Sequence, residues 1–358
     1  MKMLDFHPPP LVELRSYTQL ENRVQGNLSG CGSLEPCCGI HATHGETTVR
    51  PQCSKLIRQR AASGALSIAA VLLLVAGAPA QNLFVANGGG NNIIEITPGG
   101  APSTFASGLS GPFALAFNSA GNLFEADLGS GNVYEFTPNG APSTFASGLN
   151  NPTGLAVDTN GDLFVANWSG GVQSNGYITE IAPGGAQSTV ASGLYGPEGL
   201  AFDSAGDLFV ANQQGGYITE VTTGGVQSTF ASGLSYPNGL AFNSLGDLFV
   251  ANQGNGNITE ITPDGTLSTF ASGVDNPQGL AFDSAGDLYV ACYDSTNSII
   301  QITSSGTQST FASGLNGPEG LAFQPVPEPS TLGLLAAGLS VLLVCCRRRY
   351  RAAGLGIL

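Results

Sequence analysis

Six prolines recur through the middle of this 358-residue chain, and the residue that follows each one could contribute to a shared site. The prolines are Pro112, Pro152, Pro197, Pro237, Pro277 and Pro318, at spacings of 40, 45, 40, 40 and 41 residues. The residues that follow them are Phe113, Thr153, Glu198, Asn238, Gln278 and Glu319. Carboxylate and amide oxygens are the ligands that Ca²⁺ and Mg²⁺ prefer. The sequence therefore predicts a divalent-metal site of Glu198, Asn238, Gln278 and Glu319, with Ca²⁺ as the candidate cofactor.

The charged residues exclude several other kinds of chemistry. Residues 81–326 contain 11 Asp and 8 Glu but no Lys, Arg or His, within a chain whose formal net charge is −14. This acidic balance excludes nucleic acid as a partner. Ser-His-Asp hydrolysis, Schiff-base chemistry and an arginine clamp on phosphate are excluded as well. Cys292, the one cysteine of this segment, has no histidine to activate it, so only carboxylate or metal-assisted mechanisms remain.

The spacing of the prolines predicts the fold that would bring these residues together. A period of about 40 residues is typical of four-stranded propeller blades. The four strand candidates of one repeat are Gly239–Phe242, Leu248–Asn252, Ile258–Thr262 and Ser268–Ser272. The array begins and ends in the middle of a repeat, so pairing of Leu83–Asn87 with Gly320–Phe323 would close a ring of 24 strands and leave no open edge. We predict an all-β, six-bladed β-propeller over residues 81–325; a linear β-solenoid is the alternative.

A six-bladed ring would set the six post-proline side chains around one mouth of a central channel. Because the blades would lie about 60° apart, Glu198 and Glu319 would face each other, with Asn238 and Gln278 between them on one side. The alternative is that all six are only solvated or hydrogen-bonded channel residues. Two other acidic sets recur, of which the first is predicted to cap hairpin turns and the second to face solvent. They are Asp162, Asp207, Asp247 and Asp287, and Glu95, Glu135, Glu180, Glu220 and Glu260.

The repeat pattern P-x-G-L-A-F-D-x-x-G-D-L-F-V-A-N resembles NHL-repeat and gluconolactonase-type six-bladed propellers over nearly all of residues 82–323. In gluconolactonase-like propellers, acidic and amide side chains at the P-x-G position bind a divalent metal in the channel. The resemblance thus implies the same role for Glu198, Asn238 and Glu319, and for Gln278 beside them. The chain departs from that family because Phe113 and Thr153 fill the other two positions and no general base is evident. Propellers of this type serve many functions, so the resemblance does not select one.

The N-terminal 80 residues carry the pattern of an export signal. Arg58 and Arg60 precede an apolar stretch that ends in the small-residue site Ala78-Pro79-Ala80, which predicts a signal peptide over residues 58–80, cleavage after Ala80 and a mature chain that begins at Gln81. A buried helix is the alternative. Residues 1–57 are interpreted as a misassigned N-terminal extension, because signal peptides start close to their charged region. Zinc binding by its cysteines is the alternative there, although Cys31, Cys37, Cys38 and Cys53 lack paired C-x-x-C spacing.

Residues 326–351 combine a short motif, an apolar run and a basic tail. Pro327-Glu328-Pro329 precedes a 16-residue stretch from Thr331 to Cys346, about 24 Å long as a helix, and then Arg347–Arg351. This predicts a transmembrane helix with its C-terminus inside the cell. The arrangement closely resembles the PEP-CTERM sorting signal of Gram-negative bacteria that make exopolysaccharide. That resemblance implies processing by an exosortase, a membrane protease thought to cut near the motif. A permanent single-pass anchor is the alternative.

Two functions from different classes are compatible with these features. We expect an exported, non-catalytic binding module of the cell surface or exopolysaccharide matrix, with a glycan or a surface protein as its partner. It would contact the membrane only through its C-terminal segment, as a transient anchor in the inner membrane. The alternative is a divalent-metal-dependent lactonase or related hydrolase, in which Glu198 and Glu319 hold the metal and a metal-bound water is the nucleophile.

Overall fold

The computed structural model describes residues 81–169, 175–293 and 296–326, which form 24 β-strands in six antiparallel sheets of four. Blade I consists of β24 (Pro318–Phe323), β1 (Leu83–Asn87), β2 (Asn92–Ile96) and β3 (Pro102–Ser107). Blade II consists of β4 (Pro112–Phe117), β5 (Leu123–Asp127), β6 (Asn132–Phe136) and β7 (Pro142–Ala146). Blade III consists of β8 (Pro152–Val157), β9 (Leu163–Asn167), β10 (Gly176–Ile181) and β11 (Gln187–Leu194).

The other three blades follow the same order from the channel outward. Blade IV consists of β12 (Pro197–Phe202), β13 (Leu208–Asn212), β14 (Tyr217–Val221) and β15 (Gln227–Ser232). Blade V consists of β16 (Pro237–Phe242), β17 (Leu248–Asn252), β18 (Asn257–Ile261) and β19 (Leu267–Ala271). Blade VI consists of β20 (Pro277–Phe282), β21 (Leu288–Cys292), β22 (Ser298–Ile302) and β23 (Gln308–Ala312). The only helical segment among the described residues is a single 3₁₀ turn at Gly88–Gly90.

Blade I closes the ring by joining the two ends of the repeat array. β24 pairs antiparallel with β1, with Leu83 opposite Phe323 and Val85 opposite Leu321. The innermost strands β4, β8, β12, β16, β20 and β24 adjoin one another around the axis. The predicted six-bladed propeller and its closure are therefore confirmed, and the β-solenoid alternative is wrong. The predicted transmembrane helix lies outside the described residues, and none of those residues belongs to a helix long and apolar enough to cross a bilayer.

Apolar side chains on both faces of the second strands bind neighbouring blades together. In β17 every residue is buried, as expected for a strand covered on both sides. The ring of Phe249 makes edge-to-face contacts with Phe270 and Phe282, with centroid distances of 4.9 and 5.0 Å. The same aromatic triplet recurs in other blades, around Phe209 and Tyr289. One repeated contact thus contributes to the core at several blade interfaces.

The hairpins between first and second strands are capped four residues earlier than the sequence predicts. Asp203 Oδ1 accepts hydrogen bonds from the backbone N–H groups of Ala205 and Asp207, both at 2.9 Å. Asp207, which was predicted to cap this turn, instead accepts the N–H of Thr223 in the neighbouring turn at 2.8 Å. The first polar residue of the turn is the cap because its side chain reaches the amides two and four residues ahead.

The recurring glutamates of the third strands are half-buried and hydrogen-bonded, so the prediction that they face solvent is only partly right. Asn82 donates to Glu95 Oε1 at 2.6 Å, and Asn122 donates to Glu135 Oε1 at 2.7 Å. The hydroxyl of Ser228 donates to Glu220 Oε2 at 3.3 Å. Amide and hydroxyl donors thus stabilise these carboxylates in a domain that has no cationic side chain to pair with them.

Glu125 is a buried carboxyl group between blades I and II. It lies in the middle of β5, where the other five second strands carry valine, and both of its oxygens lack a hydrogen-bond partner. Its cross-strand neighbours are Leu115 and Tyr134. Burial, followed by the nearby charge of Asp127, raises its pKa to about 9. The folded state therefore keeps a neutral glutamic acid at this position at neutral pH.

We predict that Glu125→Val stabilises the protein, because it removes an unpartnered buried polar group that costs about 1–3 kcal/mol. The melting temperature should rise by about 2–4 °C per kcal/mol. The folded state holds the Glu125 proton up to a pH of about 9 while the unfolded chain loses it near 4.5, so this residue makes stability fall as pH rises between those values. Thermal unfolding across pH 5–9 should show a difference between variant and parent that widens with pH. An equal or lower melting temperature for the variant would contradict this account of Glu125.

Candidate functional site

The strand register gives the propeller two chemically different ends. The innermost strands begin with proline at one end, where Pro237 pairs with Asn252 at the end of the second strand. We call this the proline end. The opposite end, which carries the Asx-capped hairpins such as Asp203–Asp207, is the aspartate end. The six side chains that follow the prolines, named here the channel ring, surround the axis at the proline end.

Glycines next to the channel ring bring the innermost strands into backbone contact. A Cβ atom at Gly239 would lie 2.3 Å from the carbonyl oxygen of Gln278 in the next blade. A Cβ atom at Gly279 would lie 2.4 Å from the carbonyl oxygen of Glu319, and Gly154, Gly199 and Gly320 make equivalent contacts. Blade II carries Ala114 at this position. The absence of side chains here sets how closely the channel-ring residues approach the axis.

An Asn or Asp side chain at the end of five of the six second strands fixes the loop that leads into the channel ring. Asn252 Oδ1 accepts the backbone N–H of Ser235 at 3.0 Å, and Asn212 Oδ1 accepts that of Tyr195 at 3.0 Å. The same bond is made by Asn87, Asp127 and Asn167. In blade VI, Cys292 occupies this position and is buried. There the Asn276 side chain donates instead to the Tyr293 carbonyl.

The structure brings all four predicted metal ligands into one ring. The two amides are hydrogen-bonded to neighbouring side chains, whereas Glu198 has an oxygen without a partner in the described part of the chain. Asn238 Nδ2 donates to Gln278 Oε1 at 2.6 Å, and Gln278 Nε2 donates to Asn276 Oδ1 at 3.1 Å. The Thr153 hydroxyl donates to the Pro197 carbonyl at 2.8 Å, so it ties blades III and IV together. Glu198 is buried, and its Oε2 has no partner among the described residues. Glu198 is thus the one ring residue with an orphaned buried oxygen.

Burial perturbs both ring carboxyls in the same direction. It raises the pKa of Glu198 well above its ordinary value, and the facing charge of Glu319 raises it further. Burial also raises the pKa of Glu319 to about 8. Burial thus favours the neutral form of both carboxyls unless a cation offsets their charge. The pair could therefore exchange protons with the channel or hold a cation across it.

A cavity of about 70 Å³ lies on the axis beside the ring. Four ring residues line this cavity, together with the glycines of the innermost strands: Phe113, Thr153, Asn238 and Glu319. The ring residues Glu198 and Gln278 do not line it. The remaining wall is a girdle of leucines: Leu115, Leu155, Leu200, Leu240, Leu280 and Leu321. This volume holds a few water molecules or one ion with part of its hydration shell, but it is too small for an organic substrate.

The ring residues match a hard divalent cation in ligand type, since they offer carboxylate and amide oxygens. Among the described residues there is no cluster of three or more Asp, Glu, His or Cys side chains that could hold a metal. A cation here would therefore use the two glutamates together with amide oxygens and water, a set that Ca²⁺ accepts. The orphaned Glu198 oxygen is the observation that supports this fit. The amide lock between Asn238 and Gln278 could not be read from the repeat, because it depends on side-chain orientation.

The remaining residues chosen from sequence lie outside the described part of the chain. These are the cleavage-site residues Ala78 and Ala80 and the motif Pro327, Glu328 and Pro329. A model of the PEP-CTERM protein-sorting motif matches residues 325–349. The match indicates that the chain is exported and sorted by an exosortase system of Gram-negative bacteria.

Solved structures with the same architecture include both enzymes and binding proteins. A streptogramin B lyase structure aligns with a TM-score of 0.55 at 17% identity, covering 68% of this chain and 86% of that one. A chain of a nidogen/laminin complex aligns with a TM-score of 0.61 at 19% identity, covering 69% and 99%. A putative gluconolactonase aligns with a TM-score of 0.51 at 14% identity, covering 62% and 90%. At these identities the likeness establishes the fold alone. No curated protein matches the sequence.

Proposed function

We propose that the mature protein is a non-catalytic binding module of the cell surface or the exopolysaccharide matrix, with a glycan or a surface protein as its partner. The observation that carries this proposal is the sorting motif at residues 325–349 attached to a propeller without Lys, Arg or His. The channel supports it as well. Its threonine and amides are engaged in structural hydrogen bonds, and its cavity of about 70 Å³ is too small for an organic substrate.

We expect deletion of residues 326–358 to shift the protein from the matrix and surface fractions into the periplasm, because the deletion removes both the sorting motif and the basic tail. Immunoblots of fractionated cells that produce either form would measure the shift. The matched control is Glu328→Gln, which leaves the apolar run and basic tail in place and alters only the motif. An unchanged distribution of the truncated protein would contradict the sorting part of the proposal.

We further propose that the channel ring binds Ca²⁺ through Glu198 and Glu319, with Asn238 and Gln278 as neighbouring oxygen donors. Residues 81–326 contain 19 Asp and Glu residues without an internal cation, and repulsion among those that are ionised destabilises a compact state. Binding to the folded state alone stabilises by about 2.7 kcal/mol at free Ca²⁺ 100 times the dissociation constant. The melting temperature of the exported protein should therefore rise with Ca²⁺.

The double variant Glu198→Gln/Glu319→Gln should lose most of this rise, because it removes both charged ligands. The matched control is Glu220→Gln/Glu260→Gln, which removes the same charge from half-buried positions at the aspartate end. If the ring double variant responds to Ca²⁺ as the parent does, or if NaCl at equal ionic strength gives the same rise, the channel is not the site.

Metal-dependent lactone hydrolysis is the second candidate function, favoured by the carboxyl pair of buried Glu198 and half-buried Glu319 and by the orphaned Glu198 oxygen. A divalent cation held there would supply Lewis-acid activation of water. In this candidate, Glu198 and Glu319 would hold the cation, and Asn238 would border the space where a reacting group enters.

Assay of the exported protein on simple aliphatic and sugar lactones, with added Ca²⁺ and with chelator, separates the two functions. The binding-module proposal predicts hydrolysis no faster than in buffer under either condition. Chelator-sensitive hydrolysis that is lost in Glu198→Gln/Glu319→Gln would overturn it in favour of the enzyme.

A further inference from the structure

We propose that the proline end of blades IV to VI is a binding surface for uncharged polysaccharide, built on the exposed rings of Tyr195, Tyr236 and Tyr293. This rests on the proposed function, and it selects a glycan rather than a protein as partner. The three side chains are 42%, 56% and 42% exposed. Tyr195 and Tyr236 lie in the loops that lead into β12 and β16, and Tyr293 follows β21.

The exposed apolar side chains are aromatic at one end of the propeller and aliphatic at the other. The three exposed tyrosines are at the proline end, whereas the exposed aliphatic side chains Val226, Leu245 and Leu267 are at the aspartate end. Protein-binding surfaces are enriched in methionine and arginine as well as in aromatic side chains. The proline end offers aromatic rings but, among its described residues, no methionine or arginine, so its composition favours a ligand that stacks on rings and hydrogen-bonds.

The exposed and half-buried carboxylates are also distributed unevenly between the two ends. The carboxylates at the aspartate end are Glu95, Glu135, Asp158, Asp162, Glu180, Asp203, Asp207, Glu220, Asp247, Glu260, Asp264, Asp283 and Asp287. Of the described residues at the proline end, only Asp275 is an exposed carboxylate, besides the half-buried Glu319 of the channel ring. No described residue is cationic. An acidic polymer would find no cation to pair with on this surface of an acidic domain, whereas a neutral polymer needs none.

The tyrosines are held in place by their surroundings. A Cβ atom at Gly254 would lie 2.8 Å from Cδ2 of Tyr236, and one at Gly317 would lie 2.8 Å from Cε2 of Tyr293. The Tyr195 ring packs edge-on against Tyr217, with a centroid distance of 6.4 Å. Each ring thus has a neighbouring group close to it and remains partly exposed. Rings fixed in this way lose little conformational entropy when a ligand binds.

Amide groups lie between the rings. Gln213 Nε2 in blade IV donates to Gln253 Oε1 in blade V at 3.2 Å. The backbone N–H of Gln253 donates to the carbonyl of Tyr236 at 3.1 Å. This pair bridges the two blades next to Tyr236 and can donate to and accept from sugar hydroxyls. Rings and amides together match a ligand with C–H faces and many hydroxyls.

Tyr236 occupies a backbone position that disfavours tyrosine. The residue before the repeat proline has positive φ in all six blades: Gly111 at 70°, Asn151 at 50°, Gly196 at 61°, Tyr236 at 50°, Asn276 at 46° and Gly317 at 66°. Glycine and asparagine adopt this left-handed conformation readily, whereas a bulky side chain does so at a cost of about 1–2 kcal/mol. Such strain tends to persist where a side chain has a function. Tyr236 is therefore the residue that most sharply distinguishes a binding role from a structural one.

The test uses polysaccharide from the producing bacterium's own matrix, freed of protein and separated by anion exchange into neutral and acidic fractions. Native gels that contain either fraction measure retardation of the exported protein. We expect the neutral fraction to retard the parent. Tyr195→Ser and Tyr236→Asn should each weaken the affinity at least tenfold, whereas the matched controls Leu245→Ser and Val226→Ser at the aspartate end should leave it unchanged.

Tyr236→Asn also separates binding from folding. It places at this position the residue that two other blades use, so its melting temperature should rise while its affinity falls. Retardation by the acidic fraction alone, by neither fraction, or equally for parent and tyrosine variants would overturn the glycan surface. If neither fraction retards a parent that still co-sediments with intact matrix, the binding-module function stands and only the glycan surface fails. If the parent does not associate with matrix or cell surface at all, the proposed function itself fails.

Discussion

Backbone contact between the innermost strands is the constraint on which the rest of this propeller depends. At Gly154, Gly199, Gly239, Gly279 and Gly320, a side chain would overlap the carbonyl group of the adjacent blade. Six strands can therefore adjoin one another around a narrow axis. That closeness places Glu198 opposite Glu319 and leaves a cavity of only about 70 Å³ on the axis. The leucines that line this cavity, such as Leu200 and Leu280, also belong to the apolar clusters between blades. The channel chemistry and the core packing thus follow from the same missing Cβ atoms.

The absence of cationic side chains determines how the domain handles its carboxyl groups. At the aspartate end they are stabilised by backbone amides, asparagines and serine hydroxyls, as for Asp203 and Glu135. In the interior, Asp127 accepts backbone N–H groups whereas both oxygens of Glu125 have no donor among the described residues, and the pKa values of Glu125 and Glu319 rise to about 9 and about 8. Burial without a partner favours the protonated acid. Interior carboxyls are consequently the groups through which pH or a bound cation would change stability.

Much of the architecture was predictable from sequence because the same pattern of strands and turns recurs in six repeats. The period of about 40 residues, the strand segments and the mid-repeat ends predicted the six blades and the pairing of β24 with β1. The channel ring was predictable as a set, since the prolines fix its register. The hydrogen bonds within the ring were not predictable. The donation from Asn238 to Gln278 and the lack of a partner for the Glu198 oxygen depend on side-chain rotamers. The turn caps were misassigned by four residues because aspartate or asparagine occurs at both ends of the same hairpin.

Near-identical repeats also show which departures from the pattern are unfavourable. Five blades define what the second strand needs at the position of Glu125, which is valine, and what the loop needs at the position of Tyr236, which is glycine or asparagine. Neither residue stabilises the local structure. Glu125 has two buried oxygens without partners, and Tyr236 is a bulky residue in the left-handed region. The two sites differ in what they expose. Glu125 is sealed between blades and can act only on stability, whereas the strained Tyr236 presents its ring to solvent beside the amides of Gln213 and Gln253. Both residues differ from the repeat pattern, but Glu125 affects stability whereas Tyr236 indicates a role in recognition.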